Sequence, residues 1–258
     1  MGINDSPMRT PPVAASFLFS DGKRPSAEEI QLLAERDGWF AVSFVPERVT
    51  SEPPEHWVEL LAHGLTFDLA GLAPGPSLAP PPKGHLFGFK NEAALESLEA
   101  LTLSAGPHLA GGRRSMPIIR SLAGLAARLA DLPEVRAVCW PAGRIWCEPG
   151  HFRETVLAWL DGGAFPGLSL VALTMAPDGG MQSEGLALFT GQELRLEPHL
   201  MGDRAEGAKI ALRLLHVLAD HGPVIAPQMV KAPDGSLLRL VASPNGLFVR
   251  VWRDDVRP

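Results

Sequence analysis

Three short stretches of this chain hold residue types at spacings that could do chemistry. The first runs from Gly106 to Ser115 and reads GPHLAGGRRS, just before an apolar helical pattern. Amides at a helix N-terminus, beside the guanidiniums of Arg113 and Arg114, suit an anion held over Gly111, Gly112 and Ser115. A nucleotide-hydrolase phosphate loop needs Lys and then Ser or Thr after the second glycine. Here Gly112 and Arg113 follow Gly111 instead, so the nucleotide reading fails. The plainer alternative is a loop with two solvated arginines.

The second stretch is Glu148-Pro-Gly-His151-Phe-Arg-Glu154. Glu148 and His151 have the Glu-x-x-His spacing of carboxylate metal sites, and His151 and Glu154 share a helical face. Pro149 and Gly150 interrupt the first pair, and no second such motif supplies the three or four convergent ligands a metal needs. No metal or other cofactor is therefore expected. His108 and His151 remain as general bases if the anion is a substrate. The third stretch is Cys139-Trp140-Pro-Ala-Gly143-Arg-Ile-Trp146-Cys147. A turn centred on Gly143 pairs Trp140 with Trp146 and Cys139 with Cys147, within disulfide reach. A two-residue Ala142-Gly143 loop shifts the register by one and sends the cysteines to opposite faces. Free buried thiols are the expectation in a reducing compartment.

The rest of the composition narrows the classes. The 258 residues are 46% hydrophobic with a net charge of −6 and no tyrosine. A core of useful size follows, and phenol chemistry is excluded. The acidic balance argues against nucleic acid as a partner. No apolar run reaches the ~20 residues of a membrane span. Met1 to Val13 lacks the order of a signal peptide, so a cytoplasmic location is expected. Zinc-protease, nucleophile-elbow and dinucleotide signatures are missing from the sequence. Arginine outnumbers lysine 18 to 5 beside abundant alanine, glycine and proline, which reads as the codon bias of a GC-rich bacterial genome.

These residues must be positioned by strands and helices in irregular order, which predicts an α+β fold with mixed, mostly antiparallel sheets packed by amphipathic helices. Residues 1–13 are expected to be disordered, 14–71 to form an N-terminal subdomain, 72–84 a Pro/Gly-rich linker or surface loop, and 85–258 the main domain. Ser26 and Glu29 spell a capping box for a helix ended by Gly38. Ile118, Leu122, Leu125 and Leu129 stripe a helix begun at Ser115. Phe152, Val156, Trp159 and Leu160 stripe another, and Asp203 with Glu206 opens the best-patterned helix, which Gly222 and Pro223 end. Short helices are expected at Glu55–Leu61 and Glu92–Leu98. Strands are expected at 16–19, 39–45, 65–69, 85–89, 101–103, 135–140 and 144–147. Others are placed at 168–175 (central in its sheet), 185–189, 193–196, 237–242 and 247–252.

Pro133 to Phe152, PEVRAVCWPAGRIWCEPGHF, and Met181 to Leu196, MQSEGLALFTGQELRL, carry a resemblance in their order of elements. The chain resembles, over roughly residues 85–200, a bacterial family of uncharacterised α+β proteins built on a domain of unknown function. The resemblance implies the fold and no chemistry. Two functions follow from the sequence. One is a non-enzymatic protein-binding or regulatory module anchored by Trp140, Trp146 or Trp252. The alternative is a hydrolase or transferase acting on an anionic small molecule.

Overall fold

A computed structural model describes residues 13–46, 56–90, 95–112 and 114–254. Among the described residues fourteen strands build two sheets, with α+β architecture. In chain order the first half runs β1 (Ala14–Ser20), α1 (Ala27–Asp37), β2 (Ala41–Phe44), β3 (Trp57–Ala62), β4 (Leu65–Ala70), β5 (His85–Phe87) and β6 (Leu98–Ala105). Then come α2 (Met116–Leu129), β7 (Val135–Trp140), β8 (Ile145–Cys147) and α3 (Pro149–Leu160). The second half holds α4 (Gly167–Leu170), β9 (Ala172–Met175), β10 (Met181–Glu184), α5 (Ala187–Thr190) and β11 (Glu193–Leu196). It closes with α6 (Arg204–His221), β12 (Gln228–Lys231), β13 (Leu237–Ala242) and β14 (Phe248–Arg253).

The first sheet is ordered β2-β3-β4-β6-β1-β7-β8-β5 and the second β12-β13-β14-β11-β10-β9. Among the described strands only β5 with β8 and β11 with β14 pair in parallel. Segments 14–71 and 85–258 share the first sheet, since β1 is bonded by β6 on one side and β7 on the other. The proline-rich segment 72–84 therefore lies between strands of one sheet. It is held by Arg24, which donates to the carbonyls of Gly71 and Gly75 and pairs with Glu99 at 3.1 Å.

Where local signals were strong, they decide the structure. Ser26 and Glu29 form the capping box, and Gly38 ends α1 in the left-handed conformation. The α2 stripe is buried against the first sheet, with α3 packed beside it. Ile210, Ala211, Leu214, Leu215 and Leu218 turn α6 onto the second sheet. Both sheets and these helices share one continuous core, while a smaller cluster around Leu18, Cys139 and Trp146 lies on the first sheet's other face.

Several expectations are corrected. Residues 57–61 are strand and not helix: Val58, Leu60 and Ala62 are buried in alternation between β2 and β4, and a period of two wins over the i, i+3 match of Trp57 and Leu60. Leu98 begins β6 and ends no helix, with Leu95–Ser97 forming bends; residues 91–94 of that expectation lie outside the described residues. The apolar run 168–175 divides into α4 and β9, and β9 is an edge strand and not a central one. The strand expected at 185–189 is the helical turn α5, and β10 lies upstream of it. The cause is tertiary. The Glu193 carboxylate accepts the amides of Gly185, Leu186 and Ala187 and the Ser183 hydroxyl, capping α5 from the next strand. Residues 1–12 lie outside the described residues, and Val13 is buried.

Candidate functional site

The residues named for chemistry are spread across the fold. Gly111 and Gly112 end a 3-10 turn, Pro107–Gly112, and both are exposed, as is Arg114; Arg113 lies outside the described residues. Ser115 occupies the N-cap of α2, but its hydroxyl makes no cap bond to the helix; its amide donates to the Gly112 carbonyl at 2.7 Å. The His108 Nε2 lies 3.1 Å from the Thr66 hydroxyl on β4. His151 meets the Phe87 ring of β5 edge-on at 5.0 Å. In the strand order β4 and β5 are five positions apart, roughly 24 Å at the usual strand spacing. The two histidines cannot serve one substrate atom.

Glu148 is occupied as a helix cap, accepting the amides of Gly150 at 3.1 Å and His151 at 2.6 Å. Among the described residues no three His, Cys, Asp or Glu side chains stand close enough to hold a metal ion. Opposite Glu59 across the β3–β4 pair is Asp68, whose carboxyl is raised by burial first and by Glu59 second, with His108 opposing. On this face the Ser43 hydroxyl donates to the Glu59 carboxylate at 2.7 Å and His108 meets the Thr66 hydroxyl, a polar cluster at the surface that holds no metal-binding group among the described residues.

The hairpin adopts the Ala142-Gly143 register. Cys139 pairs with Trp146 and Val138 with Cys147, so the thiols point to opposite faces of the sheet. Both are free and buried. Burial pushes the Cys139 thiol well up and the Cys147 thiol to about 12, the Ser169 hydroxyl opposing in the second case. The thiolate is the nucleophile, so neither cysteine is reactive. In native protein at pH 8 both thiols should resist alkylation for as long as the fold persists. After denaturation without reductant, mass spectrometry should find two alkylated cysteines. An unmodified pair would contradict this register.

The tryptophans proposed as interface anchors are core residues. Trp140 is 1% exposed, Trp146 6% and Trp252 8%. Trp140 lies in the main core and Trp146 in the smaller cluster, while Trp252, opposite Arg239 on the outer face of the second sheet, is covered with the Arg250 guanidinium 5.0 Å from its ring centre; none offers a surface patch.

A cleft of about 560 Å³ lies between the start of α1 and the turn before β7, lined in part by Lys23, Arg24, Leu32, Arg36, Leu132 and Glu134. None of the residues named for chemistry reaches it. Most of its charges are already matched: Arg24 with Glu99, Arg36 with Asp131 and Glu134 with Arg136, while Glu29 accepts the Ser26 amide.

A different surface is built by the edge of the second sheet. Buried Gln192 accepts the Val224 amide at 2.8 Å and donates to the carbonyls of Val224 and Gly246. With Val224 pinned inward, its neighbour Ile225 projects into solvent, 90% exposed. The chain then enters β12, the outermost strand, paired only with β13. Met229 and Leu237 are each 45% exposed. Met229 stands opposite Arg239 and Lys231 opposite Leu237, while Leu238 and Leu240 point into the core. Apolar and cationic side chains thus alternate on one face. Arg213 of α6 fixes the far end by donating to the Lys231 carbonyl at 3.0 Å.

The sequence reading passed over β12. Its signal was present in the alternation Met229-Val230-Lys231 and Leu237-Leu238-Arg239-Leu240, with Pro227 marking an edge. Among the described residues no helix is long and apolar enough to cross a membrane. No family model, curated protein or solved structure matches the chain.

Proposed function

We propose that the chain is a non-enzymatic, cytoplasmic module that binds another protein through the β12 edge of its second sheet. The observation that carries this reading is the exposed apolar group Ile225, Met229 and Leu237, held on a rigid frame by Gln192 and Arg213. Large apolar side chains kept in water by a fixed backbone, beside unpaired sheet-edge amides, are what a partner can cover. The separation of His151 from His108 across the first sheet supports binding over catalysis.

The test is photo-cross-linking in cells of the native host. Benzoylphenylalanine in place of Ile225 should give one discrete protein adduct. The same group at exposed Leu32, on α1, should give none. Adding Met229→Asp should remove the adduct at 225 while leaving the melting temperature within about 2 °C, as for an exposed position. Equal labelling from both positions, or an adduct indifferent to Met229→Asp, would refute the reading.

A further inference from the structure

We infer that the partner is an extended, acidic segment with alternating apolar residues, which adds as a strand along β12. This rests on the protein-binding reading above and specifies its chemistry.

The backbone shows which groups are on offer. The turn after β12 is closed by the Ala232 amide donating to the Ser236 carbonyl at 2.8 Å, so Ala232 and Ser236 form a bonded pair. Bonded and non-bonded pairs alternate along an antiparallel ladder. Val230 with Leu238 and Gln228 with Leu240 are therefore bonded pairs facing inward. Met229 and Lys231 turn their N–H and C=O groups away from β13. Arg213 already holds the Lys231 carbonyl, which confirms the direction and leaves three groups: the Met229 N–H and C=O and the Lys231 N–H. Position 227 is proline, which has no N–H and ends the ladder there. The added strand is thus short, and its side chains must supply the rest of the affinity.

Charge selects the partner. Arg213, Lys231 and Arg239 gather around this edge in a chain whose net charge is −6. Among the described residues no carboxylate forms a salt bridge with any of the three. Asp234 is taken by Arg253 at 3.2 Å, and Asp254 stands beyond Leu237, whose carbonyl accepts its amide. A second copy pairing edge to edge would bring these cations together, an arrangement that natural edges use against self-association. The same cations attract a strand whose alternate residues are Asp or Glu. On the outer face such a strand would set acidic side chains beside Lys231 and Arg239. Its apolar ones, alternating with the acidic ones, fall on the opposite face beside inward-facing Val230, while the aliphatic stems of the acidic residues lie over Met229. Strand addition of this kind takes affinity from the main chain and selectivity from alternate side chains.

The probes are two labelled eight-residue peptides, one alternating glutamate with valine and one alternating lysine with valine, read by fluorescence anisotropy on the full chain. The glutamate peptide should bind at least about tenfold more tightly, and the gap should shrink in high salt as the charges are screened. Lys231→Glu with Arg239→Glu should reverse the preference. Hydrogen exchange should slow at the Met229 and Lys231 amides with the glutamate peptide bound, and Met229→Pro should abolish binding at unchanged secondary structure. Binding without slowed amides would overturn strand addition. Failure to bind, or a preference untouched by charge reversal, would overturn the acidic partner. A persisting Ile225 adduct in host cells would then show that the protein-binding reading stands and only its specification has failed.

Discussion

Gly143→Ala should destabilise the protein by about 3 kcal/mol, which for a chain of this size lowers Tm by roughly 10 °C. The β7–β8 turn lies against the second half of the chain at this point. A Cβ on Gly143 would stand 2.6 Å from the Leu170 carbonyl oxygen and 3.2 Å from that of Glu184. Both obstacles are main chain, one in α4 and one at the end of β10, and neither can swing aside like a side-chain tip. The approach is reciprocal. Gly185, at φ +103°, would place a Cβ 2.7 Å from the Gly143 Cα. Gly185→Ala should therefore fail for two reasons, the same contact and a backbone conformation that disfavours a side chain. Gly111→Ala is the matched control, because a Cβ there meets nothing within 4 Å. Thermal unfolding of the three variants checks this. Equal Tm for Gly143→Ala and Gly111→Ala would show that the two parts do not meet as described.

Leu125→Asp should leave no soluble native protein. Leu125 is fully buried in the middle of α2, within the core that both sheets share. The change removes about 2 kcal/mol of apolar burial and places a carboxylate where it has no partner, at a cost of several more. A domain holds only about 5–15 kcal/mol in total. Leu32→Asp, on the exposed side of α1, is the control and should remain soluble with Tm nearly unchanged. A soluble Leu125→Asp protein with wild-type Tm would show that α2 presents a different face to the core.

What could be read from the sequence follows how locally each element is determined. The α1 capping box and the 3.6-residue stripes of α2 and α6 are written in neighbouring residues, and all three helices form as expected. Residues 57–62 satisfy both a helical and an alternating pattern, and only pairing with β2 and β4 decides between them. The α5 turn depends on a carboxylate from β11, a contact that no window around 185–189 contains. The hairpin register was open between two turns, and it settles with the glycine tucked against α4 and β10. The candidate site was legible only in part. Residue types able to do chemistry were visible, but the strand order that keeps His108 from His151 is a property of the whole sheet. Trp140, Trp146 and Trp252 could equally be anchors or core, and burial makes them core. The β12 edge depends on which strand ends the sheet, which local pattern does not specify.

One competition measures whether a protein partner docks at this edge. Benzoylphenylalanine at position 225 should form its adduct in a native host lysate. A saturating amount of the alternating glutamate–valine peptide should suppress that adduct by about tenfold or more, as expected for two ligands of one site at a hundredfold excess over the dissociation constant. At equal concentration the lysine–valine peptide should suppress it less, in proportion to its weaker binding. An adduct that persists at full strength under saturating glutamate peptide would contradict the account, because partner and acidic strand would then occupy different surfaces.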